Sequence, residues 1–316
     1  MTKKNRKAII ASLGLLLTAM IWGFAFVVVK DSLDTMPPIY MLAIRFTIAS
    51  LGLCVIFRKK LRLIDKAMLK SGAVLGTLIY LGYATQTIGC KYTTAGKNAF
   101  LTTVYVVMVP FLHWLFNKRR PDIFCTIAAF IAIIGIGLIS LNDDLSVNIG
   151  DALTLLCGLC FAIHIVFVER YTEKQDPVTL TVVQMVVSAL LSWLSAPFLD
   201  GNLPLGIFNS GMIGSMLYLG LLSTMLAFLL QLVCQKYTPA SVAALLLSME
   251  AVFGVIFSTI FLKETLYARM VIGCFVLFFA IIMAETKFEF LKKVGISKCK
   301  KINASSSEQE ISKNAN

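Results

Sequence analysis

The chain has 316 residues, 58% hydrophobic and 15% charged, with a mean hydropathy of +0.83 and a formal net charge of +12. Soluble domains are about 45–50% apolar and about 25% charged, so this much apolar surface does not fit one water-soluble core. The composition points to bilayer-spanning helices, and the alternating ten-residue segments of a β-barrel are not seen.

Apolar runs of about 20 residues follow one another along the chain. Lys3, Lys4, Arg6 and Lys7 precede the first, about 8–29, which is too long for the apolar core of a signal peptide and is expected to be retained. The second, about 38–57, opens on Pro37-Pro38, where a missing N–H costs nothing. A basic loop, RKKLRLIDKAMLK, leads to the third and fourth spans, about 71–90 and 94–116. After the basic turn NKRRPD comes the fifth, about 123–141, ending in the acidic stretch NDDLSVN. Five more spans follow, at about 149–169, 178–199, 211–235, 239–262 and 266–285. The tail 287–316 is polar and basic and is expected to be disordered.

Ten spans put both termini on one side, and that side collects 23 of the 29 Lys and Arg against five opposite, with Arg45 inside a span. The asymmetry predicts cytoplasmic termini in a multi-pass protein of the cytoplasmic (inner) membrane. It also explains the positive charge as short loop clusters, so nucleic acid is not an expected partner. Seven of the eight cysteines sit in or beside apolar runs, and Cys157-x-x-Cys160 lies within one, as packing cysteines do. No disulfide framework or zinc site is implied, and His113 and His164 lack ligand spacing.

The stretch from Gln86 to Pro110 has an echo from Gln231 onward: Lys91-Tyr92-Thr93 falls on Lys236-Tyr237-Thr238 and Ala95 on Ala240. Five spans per unit make two such units inverted with respect to each other, an architecture that places a transport site between them. The expected fold is therefore an all-α integral membrane protein of ten transmembrane helices in two inverted five-helix repeats. Its divisions are an N-terminus 1–7, a first repeat 8–142, a second repeat 143–286 and the tail 287–316.

Trp22-Gly23 near the end of the first span, Pro38 and Arg45-Phe46 in the second, and KYTTAGKNAFLTT before Pro110 resemble the drug/metabolite transporter superfamily, in its EamA-like branch. TPASVAALLLSMEAVFGVIFSTIFLKE is similar to that branch's ninth span, with Ala251 where the family's usual proline follows Glu250. The resemblance covers about residues 8–286. It implies a central cavity built from spans 1–4 and 6–9, spans 5 and 10 at the periphery, and no cofactor or ATP. Consistently, no GxxxxGK[ST] loop is present.

Ionisable groups within a span cost about 2.5–3.5 kcal/mol at its centre, so each asks for a reason. Arg45 stands about 10 Å into the second span and Glu250 about 16 Å into the ninth, at similar depth. They suit an ion pair or the two ends of a zwitterion; alternatively Arg45 snorkels outward and Glu250 bonds between helices. A desolvated Glu250 favours its neutral form and can carry a proton, which makes protons the candidate coupling ion. Asn98, Thr102 and Tyr105 share one face of the fourth span. Gln184 in the seventh and Gln231 in the eighth add polar groups, Trp22 and Tyr83 offer aromatic surfaces, and His164 a relay nitrogen. Lys91 and Lys97 are expected to reach headgroups. The function expected is secondary transport of a small metabolite, an amino acid or drug-like compound, with export favoured, by a monomer or a homodimer. The rivals are a membrane-embedded enzyme acting on lipid-linked substrates and a channel or sensor.

Overall fold

The computed structural model describes residues 3–117, 123–140, 148–204, 206–265 and 267–286. The cluster Asn142-Asp143-Asp144, most of the NKRRPD turn and the tail from 287 lie outside them. The described residues form helices and connections only: α1 (Lys3–Ser32), α2 (Pro38–Ile56), a 3₁₀ turn Lys60–Leu63, α3 (Lys66–Tyr92), α4 (Ala95–Thr102), α5 (Tyr105–Asn117), α6 (Ile123–Ser140), α7 (Ile149–Thr172), α8 (Pro177–Leu199), α9 (Ser210–Leu217), α10 (Ala227–Gln235), α11 (Ala240–Phe257) and α12 (Ala268–Thr286). A π-helical stretch, Tyr218–Leu226, joins α9 to α10, and a second, Ser258–Leu262, continues α11.

Eight stretches are long and apolar enough to cross a membrane; they include α4 with α5 as one rod and α9 through α10 as another. The remaining two helices, α6 and α12, carry shorter apolar stretches, Thr126–Gly135 and Ala268–Ala280.

Helix starts follow from local chemistry. Asp65, Thr94, Asn148, Asp176 and Asn209 each accept a backbone N–H in the first turn of α3, α4, α7, α8 and α9. Pro38 and Pro177 occupy the first positions of α2 and α8. Thr103 and Val104 interrupt the fourth rod; the Thr103 hydroxyl donates to the carbonyl of Phe100 at 2.7 Å.

The principal helix pairs join the front of the chain to its back: α1 with α11 and α10, α2 with α8, α3 with α7 and α8, α6 with α12. Close approach is made by glycines, as bundles without a hydrophobic drive between helices require. A Cβ at Gly72 or Gly76 would stand 2.3 Å or 2.7 Å from a side-chain carbon of α8, Val183 or Val187; one at Gly135 would stand 2.8 Å from the Leu277 nitrogen of α12. The Gly72-x-x-x-Gly76 motif thus packs within the chain.

Helices α2 and α8 run antiparallel, each tied at both ends. Asp200, after α8, accepts the Ile39 and Tyr40 N–H groups at the start of α2 at 2.6 and 3.0 Å. Lys60, after α2, pairs with Asp176 at the start of α8 at 2.8 Å.

Candidate functional site

A cavity with about 590 Å³ of atom-free space, its open mouth included, lies among α1, α2, α3, α4, α5, α7, α10, α11 and the first π-helical stretch. Among the described residues, none of α6 or α12 lines it. Trp22, Arg45, Tyr83, Asn98, Tyr105, His164, Gln231 and Glu250 all line it, although they come from widely separated parts of the chain.

Arg45 is 1% exposed, which rules out snorkelling to the interface. Its Nε donates to Thr224 Oγ1 at 2.9 Å and its Nη2 to Ser223 Oγ at 3.0 Å, while its Cζ stands 4.5 Å from the centre of the Tyr83 ring. That is a cation–π contact at a buried guanidinium. The π-helical register supplies this clamp. Thr224 donates to the carbonyl of Leu219, five residues back, at 2.7 Å, and turns its oxygen toward the guanidinium.

Glu250 is 4% exposed and accepts from the Tyr105 hydroxyl at 3.1 Å. Tyr105 opens α5, so the break at Thr103–Val104 sets the aim of its side chain. Among the described residues no ion pair joins Arg45 or Glu250 to any partner, so of the alternatives open from the sequence the mutual ion pair is not formed.

Asn98 donates from Nδ2 to the Gln86 carbonyl at 3.1 Å and to Thr154 Oγ1 at 3.0 Å. Its Oδ1 and the Oε1 of Gln231 are buried and meet no hydrogen-bond donor among the described residues. Thr102 and Gln184 stand behind the wall rather than on it: Thr102 accepts from Gln86 Nε2 at 3.1 Å, and Gln184 Oε1 meets His164 Nε2 at 3.1 Å. Each is hydrogen-bonded to a lining residue, Gln86 and His164 respectively. Tyr80 turns away, donating to Ser195 at 2.7 Å.

Phe26, Gln86, Phe161 and Ser223 also line the cavity, although the sequence reading does not single them out as lining residues. Gln86 lies three residues after Tyr83 on one helical face, a signal that was available. Ser223 had none, because its aim depends on the π register.

The expectation for Lys97 is corrected. Its Nζ pairs at 2.9 Å with Asp151, whose side chain is fully buried and whose Oδ1 accepts from Thr93 at 2.7 Å. The cause is the corner Thr93–Ala95, which folds the start of α4 onto the start of α7. Lys91 is exposed, as a headgroup contact needs. Nearby, Lys30 donates to the carbonyls of Cys90 and Thr93 at 2.8 and 2.7 Å, and Glu264 accepts the Ala95 and Gly96 N–H groups at 2.7 and 2.9 Å. At the echoed corner, Glu169 accepts the Ala240 N–H at 3.1 Å and pairs with His113 at 2.9 Å. Cys157 and Cys160 are buried and free.

The sequence model of the EamA-like transporter family matches this chain twice, over residues 9–141 and 148–286. The chain belongs to the EamA-like transporter family. Its similarity to named relatives agrees: it is 36% identical over 286 residues to an uncharacterized transporter of Archaeoglobus fulgidus, covering 89% of this chain and 87% of the other. It is 25% identical to the uncharacterized transporter YoaV of Bacillus subtilis, covering 87% and 97%. With the threonine/homoserine exporter RhtA of Salmonella typhimurium it shares 30% identity over 162 residues, 48% of this chain and 50% of that one. A solved crystal structure superposes with a TM-score of 0.62 at 14% identity, covering 87% of this chain and 96% of that chain, which speaks to the fold alone. EamA-family membership makes this an all-helical, multi-pass membrane protein of a transporter family.

Proposed function

We propose that the protein is a secondary transporter that carries a small metabolite, an amino acid or drug-like compound, out across the cytoplasmic membrane by alternating access. The observation that carries this reading is the cavity itself: polar and aromatic groups from both halves of the chain converge between helices, as the cargo site of a transporter built from repeats requires. In this reading α6 and α12 complete ten spans, residues 8–142 and 143–286 are inverted repeats, and 1–7 and 287–316 are cytoplasmic. The two family matches and the antiparallel pairing of α2 with α8 support it. So does the packing scheme. Exchanging the halves turns α3 with α7 into the eighth rod with α1, and α1 with α11 into α7 with α4 and α5, and all of these contacts occur. The export direction and the amino-acid alternative rest on the half-length similarity to an exporter.

The test is counterflow in proteoliposomes preloaded with a pool of neutral amino acids, then with a pool of drugs and nucleobases. Saturable, trans-stimulated exchange of one class is expected. Chemical conversion of the added compound would favour an enzyme, and flux without saturation a channel.

We assign proton carriage to Glu250, a buried carboxyl that accepts a hydrogen bond from the Tyr105 phenol. Arg45, Tyr83, Cys90, Tyr105 and His164 are the other titratable groups that line the cavity among the described residues. Glu250→Gln is expected to flatten the pH profile of transport between about pH 5 and 9. A profile identical to that of the unaltered protein would remove the proton from the mechanism.

A further inference from the structure

Two ionisable groups, Arg45 and Glu250, face one cavity, and among the described residues neither meets an opposite charge. Burying a guanidinium or a carboxylate is costly unless an opposite charge meets it. Here Arg45 is met by hydroxyls and a ring, and Glu250 by a phenol. The two remaining unpartnered atoms on the wall, Asn98 Oδ1 and Gln231 Oε1, are both acceptors. The orientation of Asn98 is fixed, because its nitrogen already donates to a carbonyl oxygen and a threonine oxygen. The cavity therefore lacks an anion at Arg45 and N–H donors toward Glu250, Asn98 and Gln231.

Resting on the transporter reading, we propose that the cargo is a zwitterion with a hydrogen-bearing ammonium group. Its carboxylate lies on Arg45 and its ammonium on Glu250, Asn98 Oδ1 and Gln231 Oε1. A guanidinium matches a carboxylate with two parallel N–H bonds. Carboxylate and amide oxygens match an ammonium only if it carries hydrogens, so a trimethylated betaine would leave both amide acceptors unpaired. The apolar part of the cargo meets Trp22, Phe161 and Phe228, which also line the space. Neutral amino acids with apolar side chains are the class these groups describe.

The experiment crosses cargo analogues with variants in the counterflow assay. The probes are phenylalanine, its N-trimethyl betaine, phenethylamine and 3-phenylpropionate. Phenylalanine should exchange at least about tenfold better than each analogue, the penalty for buried polar groups left unpaired. Arg45→Gln should erase the preference for phenylalanine over phenethylamine, and Glu250→Gln that over phenylpropionate. Asn98→Leu, which keeps both charges, should narrow the gap between phenylalanine and its betaine. A purely structural role would instead lower transport of all four together, and that result overturns the proposal. Equal transport of phenylalanine and the betaine overturns it too. Exchange confined to the drug and nucleobase pool overturns the zwitterion while leaving the transporter reading intact, whereas absence of exchange by any pool fails both. Arg45→Lys serves should Arg45→Gln not fold: a retained charge without the fork should weaken phenylalanine more than phenethylamine.

Discussion

Gly23 has no room for a methyl group: a Cβ there would stand 2.4 Å from Phe253 Cβ and 2.9 Å from the Gly254 nitrogen. Gly23→Ala must push α1 and α11 apart, the two helices that carry Trp22 and Glu250. The expected loss is about 1–3 kcal/mol, the usual range for overpacking, seen as a lower Tm in detergent. Gly214→Ala, whose Cβ meets nothing within 4 Å, is the comparison and should melt no lower than the unaltered protein. Equal Tm values for both variants would contradict the packing account. Much of the cavity wall was legible at this scale. Arg45, Asn98, Tyr105 and Glu250 stand out because hydrocarbon makes every polar group conspicuous. What the sequence concealed was pairing. Lys97 looked like a headgroup contact because its partner Asp151 is 54 positions away and joins it only through the folded corner.

Element boundaries obey the same chemistry where water reaches. Asp176 precedes α8, accepts from the Thr179 N–H at 2.9 Å and pairs with Lys60 at 2.8 Å. Burial raises its pKa, but the bonds from Lys60 and Thr179 outweigh burial and leave it below the ordinary aspartate value of 3.8. A depressed folded pKa contributes stability that is present above the unfolded value and is lost as pH falls through the folded one. Asp176→Ala is therefore expected to cost about 1 kcal/mol at neutral pH, mostly through the lost cap, since the ion pair is partly solvated. The difference in Tm should shrink below about pH 3. A difference that is constant from acid to neutral pH would show that the carboxylate's charge is not involved. The helices themselves were readable as apolar runs. The break at Thr103–Val104 and the π-helical stretches were not, because a register shift of one residue leaves the apolar pattern of a helix nearly unchanged.

For the whole molecule the ten-span inverted reading makes a prediction in space. The ends of α2 and α8, equivalent helices in that scheme, should open on opposite faces of the membrane. Lys59→Cys, just past α2, should react with an impermeant maleimide only after the cytoplasmic face is exposed. Asn202→Cys, just past α8, should react from outside in intact cells. Labelling of both from one face would overturn the inversion. The sequence echo suggested this arrangement from a handful of residues around Lys-Tyr-Thr. The structure adds that both echoed corners start a helix whose first N–H groups are held by a glutamate, Glu264 at one and Glu169 at the other.

The π-helical stretch Tyr218–Leu226 has an ancestry to disclose. Such widened turns are single-turn insertions that interrupt an α-helix, frequently at functional sites. A relative one residue shorter between these positions would wind as plain α-helix, turning Ser223 and Thr224 away from the second helix. Such a relative is expected to carry no arginine at the position of Arg45. Sorting family members by that single gap would separate lineages that handle anionic groups from those that do not.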